Sequence, residues 1–210
     1  MSEYTPQVDH SHYSLRSYRE KDRWISYWYQ TWLVQKVHPK TVLEIGPGEG
    51  VVTAALRRDS IEVTTCDIAP DLKPDVVGSI TSLPFENKAF DLALAAEVLE
   101  HIRFEDVPKA LQELTRVSRS HVVISLPHAG YTFAFEWKFP LLPRMQFLLK
   151  IPFFWKKHVF NGEHYWELGK KDFSIARFLS LARENGLKVL FSKKFPDDPA
   201  HQFFLFKIIE

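Results

Sequence analysis

Between Thr41 and about Pro127, apolar runs of strand length alternate with segments of helical spacing. Thr41–Ile45, Glu62–Cys66, Phe90–Ala95 and His121–Leu126 predict strands, and Asp75–Val77 a short one. Phe90–Ala95 is almost continuously apolar, as a strand covered on both faces must be. Val51–Arg58 is amphipathic, and Val107, Ala110, Leu111, Leu114 and Val117 recur at helical spacing. Strand and helix in strict alternation predict βαβ units and a parallel sheet. Beyond residue 171 the signals return. Phe173–Asn185 reads as a helix stopped by Gly186, and Leu187–Ser192 and Gln202–Ile209 as strands around a turn at 196–199. A pair joined so tightly runs antiparallel, at the sheet edge.

The flanks of this pattern differ from it. Residues 1–38 are polar at first, then carry Trp24, Trp28 and Trp32 at i, i+4 and i+8 with Ile25, Tyr29, Leu33 and Val37 alongside. They predict a helix that packs its tryptophan face on the main domain, residues 39–210. Its leading part, with His12, Tyr13, Arg16, Tyr18 and Arg19, is a candidate lid. Residues 128–171 form an insertion rich in Phe, Trp, Pro and Lys, read as an aromatic helical cap on the acceptor side of a site. Within it, 137–158 carries Lys138, Arg144, Lys150, Lys156 and Lys157, with no acid between Glu136 and Glu163. Pro140, Pro143 and Pro152 rule out one long helix. Such a segment can fold on the core with its lysines in water, close over an apolar or anionic acceptor, or make peripheral contact with an anionic membrane.

Composition narrows the class. A net charge of +1 offers no electrostatic case for a nucleic-acid partner. A single cysteine, Cys66, excludes a disulfide framework or a cysteine-rich metal site. With no apolar leader and no membrane-length apolar run, the expectation is a cytoplasmic protein. Nothing in the sequence fixes an oligomeric state.

The candidate chemistry lies where the first strand ends. Thr41-Val42-Leu43-Glu44-Ile45-Gly46-Pro47-Gly48-Glu49-Gly50 runs from strand through glycine turn to helix start, a cradle for a nucleotide-sized ligand. The glycines are spaced by two, whereas a dinucleotide fingerprint needs its third glycine three residues after the second. Glu44 is awkward beside a pyrophosphate and suits a cationic ligand. Asp67 ends the second strand, where an acid can accept from ribose hydroxyls. Ribose together with a cation points to S-adenosylmethionine.

VLEIGPGEG at 42–50, TTCDIAP at 64–70, GSITSLPFENKAFDLALAAEVLEHI at 78–102 and GEHYWELGKKDFSIARFLSLARENGLKVL at 162–190 occur in order. Together they resemble the class I, Rossmann-like S-adenosylmethionine-dependent methyltransferases, small-molecule group, over about residues 40–128 and 162–209. The resemblance implies a doubly wound, mostly parallel seven-stranded α/β sheet with an antiparallel edge strand. It implies that Gly46, Gly48 and Glu44 hold the methionine part, Asp67 the ribose, and Ile68 and Ile80 the adenine. Ser79 stands where the family usually has an Asp, so weaker adenine discrimination is expected there. Ala95, Ala96 and Glu97 would line the sulfonium end, with Glu97 and Glu100 otherwise read as a solvated helix start. Glu100 and His101 belong to the family's L-E-H tripeptide and are read as structural.

Methyl transfer from a sulfonium needs a general base only when the acceptor holds its proton tightly. His164, in the segment GEHYWE, and His128, at the end of the fifth strand, are the candidates, since imidazole titrates near neutral pH. A metal site would require His128, His158, His164 and Glu167 to converge, which the spacing does not demand, so none is expected. The function implied is transfer of methyl to an O or N atom of a small molecule such as a sugar, lipid-linked or secondary metabolite. A protein acceptor and a non-catalytic binding module are the alternatives. Nucleic acid is disfavoured, because Ala95-Ala96-Glu97-Val98 stands where amino-methylating enzymes of that branch often carry [D/N/S]-P-P-[Y/F/W].

Overall fold

The computed structural model describes residues 21–209. In chain order its elements are α1 (Lys21–Gln35), β1 (Thr41–Ile45), α2 (Val51–Arg58), β2 (Glu62–Asp67), β3 (Val76–Val77), β4 (Phe90–Ala96), α3 (Val107–Val117) and β5 (Ser118–Pro127). There follow β6 (Gly130–Trp137), β7 (Met145–Pro152), α4 (Ile175–Glu184), β8 (Leu187–Phe195) and β9 (Asp198–Ile208). Seven strands form one sheet in the order β3-β2-β1-β4-β5-β9-β8. The pairs among β1 to β5 are parallel, and β9 runs antiparallel to both β5 and β8. The closing pair is antiparallel as expected, but the reversed strand lies one place in from the edge. Phe203, Phe204 and Phe206 are fully buried on β9, so that strand needs cover on both faces. β8 exposes Lys188 and Lys193 and tolerates the rim.

Alternation along each strand divides the core in two. Leu43, Ile45, Ala93, Ala95, Ile124 and Leu126 pack with α3, α4 and the buried Trp166. Val42, Leu92, Leu94 and Val123 pack with Leu33 of α1 and Leu56 of α2 on the opposite side. The strand order reverses between β1 and β4, and this is where open α/β sheets leave a crevice at their carboxyl ends. At that point Gly46 has φ of 70° and a Cβ there would meet Val98 Cγ2 at 2.6 Å, so no other residue fits the turn.

Helix α1 corrects the expected tryptophan face. Trp24 and Trp28 are exposed, and the buried residues are Ser26, Tyr29, Gln30, Leu33 and Val34. Tyr29 decides the orientation: its ring stacks on Phe195 with centroids 3.6 Å apart, and its hydroxyl donates to Asp197 at 2.6 Å. Burial, with Asp197 beside it, holds that phenol in its neutral form. The candidate lid residues His12 to Arg19 lie outside the described residues.

The insertion after β5 also differs from expectation. It is a β-hairpin, β6–β7, and not a helical cap. Tyr131, Phe133, Phe135 and Trp137 recur with period two, which is strand spacing, and Pro140 and Pro143 sit in the connecting loop where they break no ladder. The register pairs Tyr131 with Ile151, Phe133 with Leu149, Phe135 with Phe147 and Trp137 with Met145. Urea unfolding should show Tyr29→Ala less stable by about 3–5 kcal/mol, from loss of a buried ring. Tyr29→Phe, which loses only the hydrogen bond to Asp197, should cost about 1 kcal/mol.

Candidate functional site

The carboxyl ends of β1, β4 and β5 open into a cavity of about 310 Å³. Its floor is Glu44, Gly46, Pro47, Gly48 and Val52, its far wall Ala96, Glu97, Pro127 and His201, and its roof Arg23, Tyr27 and Gln30 of α1. Glu100, His101, Glu163 and His164 close one end. Glu44, Gly46, Gly48, Glu97 and His164, all singled out from sequence, therefore meet in one place.

Glu44 points to the α1–α2 side because residues alternate along β1. It is 4% exposed and accepts from the Thr53 hydroxyl at 2.5 Å. Burial raises its pKa to about 7, against the opposing pull of Thr53 and Arg57. The acid can thus be neutral in the free protein and ionise against a cation. Gly46 N–H donates to Cys66 O at 2.9 Å, and Gly78 N–H donates to Asp67 O at 2.9 Å. These bonds set Asp67 and the Ser79–Ile80 turn along the same sheet edge as the glycine loop. Asp67 is buried, which raises its pKa, and accepts from Ala69 N–H at 2.8 Å. Ser79 Oγ lies 3.0 Å from Thr81 Oγ1, its hydroxyl engaged within its own turn. Ile80 is buried and Ile68 half-buried.

The same parity redistributes two expectations. Ala95 faces the α3–α4 core, and Ala96 lines the cavity in its place. Pro127 lines the cavity, so His128, one residue on, points to the other side of the sheet. His128 is buried against Gly169, whose Cβ, if present, would meet the imidazole Cε1 at 2.8 Å. Burial, with Lys194 and Lys150 nearby, lowers its pKa to about 4. It is a neutral packing histidine and takes no part in the cavity.

His164 is fixed in place by its neighbours. Its Nδ1 lies 3.2 Å from Glu167 Oε1, while Lys170 Nζ is 3.0 Å from Glu167 Oε2. The His164 contact, with Lys170 reinforcing it, lowers the Glu167 pKa to about 2. Glu167 is therefore a carboxylate at neutral pH and fixes the Nδ1–H tautomer, leaving Nε2 as the proton acceptor. Asn161 Oδ1 accepts from His164 N–H at 2.7 Å, and His158 Nε2 donates to His164 O at 2.8 Å, so the loop is pinned on both sides.

Glu97 and Glu100 do not begin a solvated helix. Glu97 sits at φ 54°, in the left-handed region, and accepts from Ser125 Oγ at 2.8 Å. His201 Nε2 is 3.5 Å away, with Asp198 Oδ1 2.7 Å from its Nδ1. Burial opposes charge on His201, but Glu97 and Asp198 outweigh it and raise its pKa. Glu100 is fully buried, neither carboxyl oxygen has a hydrogen-bond partner, and burial with Glu97 nearby raises its pKa. His158, His164 and Glu167 share one hydrogen-bonded network through Lys170, which His128 does not join. One atom each of Glu100, His101 and His164 does converge, all within 4.8 Å of one another. Arg23, Tyr27 and Gln30 went unnoticed in the sequence, though their i, i+4, i+7 spacing is a helix face. His201 carried no signal, because a long β9 begun at Asp198 brings it in.

Residues 43–126 match a family model described as a methyltransferase domain. That stretch, from β1 to β5, resembles a class I methyltransferase domain. S-adenosylmethionine is the methyl donor of that class, and an acid-lined cavity with a buried carboxylate fits its cationic end. Among curated proteins, malonyl-[acyl-carrier protein] O-methyltransferase of Halorhodospira halophila is 33% identical over 98 residues, covering 40% of this chain and 32% of that protein. Magnesium-protoporphyrin O-methyltransferase of Rhodobacter capsulatus is 29% identical over 118 residues, covering 49% of this chain and 52% of the other. The matches thus span from a third to about half of those relatives. Among solved structures, 1,6-didemethyltoxoflavin-N1-methyltransferase of Burkholderia thailandensis shares the methyltransferase fold at TM-score 0.62 and 16% identity, over 99% of this chain and 93% of that one. An S-adenosylmethionine-dependent methyltransferase of Clostridium acetobutylicum aligns at TM-score 0.63 and 10% identity, over 96% and 97%.

His128 makes the domain's stability depend on pH in a stated direction. Its folded pKa lies below the unfolded value, so its contribution is complete above about 6.5 and is lost as pH falls toward about 4. Urea midpoints followed across that window should fall less steeply in His128→Asn than in the parent. Parallel curves would mean that the imidazole is solvated.

Proposed function

We propose that this chain moves the methyl group of S-adenosylmethionine onto an oxygen or nitrogen atom of a small molecule. The observation that carries the reading is the single cavity shared by Glu44, Gly46, Gly48, Glu97 and His164. The donor, when bound, supplies a methyl group already activated on sulfonium. Alignment then does much of the work, up to about 7–11 kcal/mol in favourable intramolecular comparisons, together with an environment suited to dispersing charge. Glu44 would hold the donor's ammonium and the Gly46–Gly48 backbone its methionine part. Asp67 would take the ribose hydroxyls, with Ile68, Ser79 and Ile80 around the adenine.

His164 Nε2 accepts the acceptor's proton as the new bond to methyl forms. Glu167 keeps the ring oriented and balances the charge it gains. Two curated relatives are O-methyltransferases by name and one structural neighbour an N1-methyltransferase. Both atom types need a base only when they carry a tightly held proton. A second reading, in which a divalent cation activates the acceptor oxygen, is favoured by the convergence of Glu100, His101 and His164 and by Glu100's orphaned oxygens. One carboxylate and two imidazoles are a donor set that suits a first-row divalent ion.

Calorimetric titration with S-adenosylmethionine should show binding that Asp67→Ala weakens by about tenfold or more, one lost charged hydrogen-bond acceptor; no binding by the parent protein sinks the proposal. Below about pH 7, where Glu44 is protonated in the free protein, affinity should rise by up to about tenfold for each unit of increasing pH and level off above it, and Glu44→Gln should abolish that slope. Labelled methyl transfer into fractionated cell extract would supply the acceptor. With it, His164→Gln should lower kcat by about 10²–10⁴-fold and leave donor affinity unchanged. If EDTA treatment of the parent gives the same loss, restored by a divalent ion, the metal reading replaces the imidazole base.

A further inference from the structure

The β6–β7 hairpin carries an apolar face that no other element among the described residues covers. The side chains of its four odd-numbered cross-strand pairs are each between 38% and 60% exposed. Water-soluble domains seldom leave so large a contiguous apolar surface unless something binds it, and a two-stranded hairpin gains independent stability only when one face is covered. The connecting loop continues the surface with Phe139, Leu141 and Leu142, all exposed. The opposite face turns toward the domain, where Lys150 Nζ donates to Pro199 O at 2.8 Å. That contact aims the aromatic face outward.

Charge identifies the occupant. Lys138, Lys156 and Lys157 are exposed at the margins, and no acid occurs between Glu136 and Glu163. The acid that does face the hairpin, Glu136, is paired with Arg144. A second copy of the chain placed on this face by a two-fold axis would oppose lysines to lysines around an apolar centre, with no carboxylate to answer them. An anionic lipid surface answers both features: acyl chains take the apolar face and loop, and phosphate headgroups take the lysines. Trp137, Trp155 and Tyr131 add the amphipathic rings that settle at the headgroup level. No helix among the described residues is long and apolar enough to cross a membrane, so the contact is a peripheral one.

We propose that the β6–β7 hairpin docks this domain on anionic lipid bilayers through its aromatic face and its Leu141–Leu142 loop. The proposal stands independently of the chemistry assigned to the cavity. Co-sedimentation of the full chain with phosphatidylcholine vesicles, with and without phosphatidylserine, tests it. Binding to the anionic vesicles should be about tenfold stronger or more, with three lysines near the surface, and should weaken with added salt. Tryptophan emission should shift to the blue on binding. Replacing both Leu141 and Leu142 with Asp should remove binding to either vesicle. Replacing both Lys156 and Lys157 with Glu should erase only the preference for phosphatidylserine. Circular dichroism spectra superimposable on the parent's would establish that each variant is folded. No vesicle binding by the parent overturns the proposal, as does unaltered binding by the Leu141–Leu142 variant. A concentration-dependent dimer in light scattering, abolished by that same variant, would assign the face to a second copy and overturn it too.

Discussion

A carboxylate held out of water at the end of β1 sets the terms for this site. Taking an isolated charge into a protein interior costs several kcal/mol, so Glu44 must find a proton or a cation. Thr53 supplies one hydrogen bond and Arg57 a distant charge, and together they leave its pKa near neutrality. Val52 and the Gly46 turn line the same cavity beside it. A fold can retain so poorly solvated an acid when the cation that answers it arrives as a ligand. Strand end, glycine turn and helix start meet at the cavity beside this acid.

The same logic repeats along the wall of the cavity. Glu97 occupies a backbone conformation that residues other than glycine seldom take, and its neighbours hold it there: Ser125 from β5 and His201 from β9. Strain of that kind costs about 1–3 kcal/mol and persists where surrounding contacts over-determine it. Glu100 behind it has no hydrogen-bond partner for its carboxyl oxygens. Burial, with Glu97 nearby, raises the Glu100 pKa and disfavours its charged form. His164 comes from a loop pinned by Asn161, His158 and Glu167, and its orientation does not rely on the helices around it.

Strand parity explains which site residues could be read in advance. Glu44, Gly46 and Gly48 alternate within one five-residue stretch, so their placement follows from one strand and one turn. Ala95 and His128 sit in segments whose location was legible, but a shift of one residue sends a side chain to the other face. For Ala95 that exchanges the cavity for the α3–α4 core. For His128 it exchanges a catalytic place for a tight contact with Gly169. The tryptophans of α1 misled in a related way. Helical spacing marked the stripe, while the stacking of Tyr29 on Phe195, 166 residues away in sequence, chose the face that is buried.

The alternating sheet, the glycine turn and the acids at the ends of β1 and β2 are legible in the residue order, because each depends on neighbours a few residues apart. The same order also held the period-two aromatics of β6, although an abundance of Phe and Trp suggested a helical cap. Packing between distant segments places β9 inside the sheet, brings α1 to the cavity, and carries His201 and His164 to the same pocket as Glu44. Those arrangements rest on contacts between distant segments. Their outcome turns on which of two faces each element buries, a choice that the whole core makes at once.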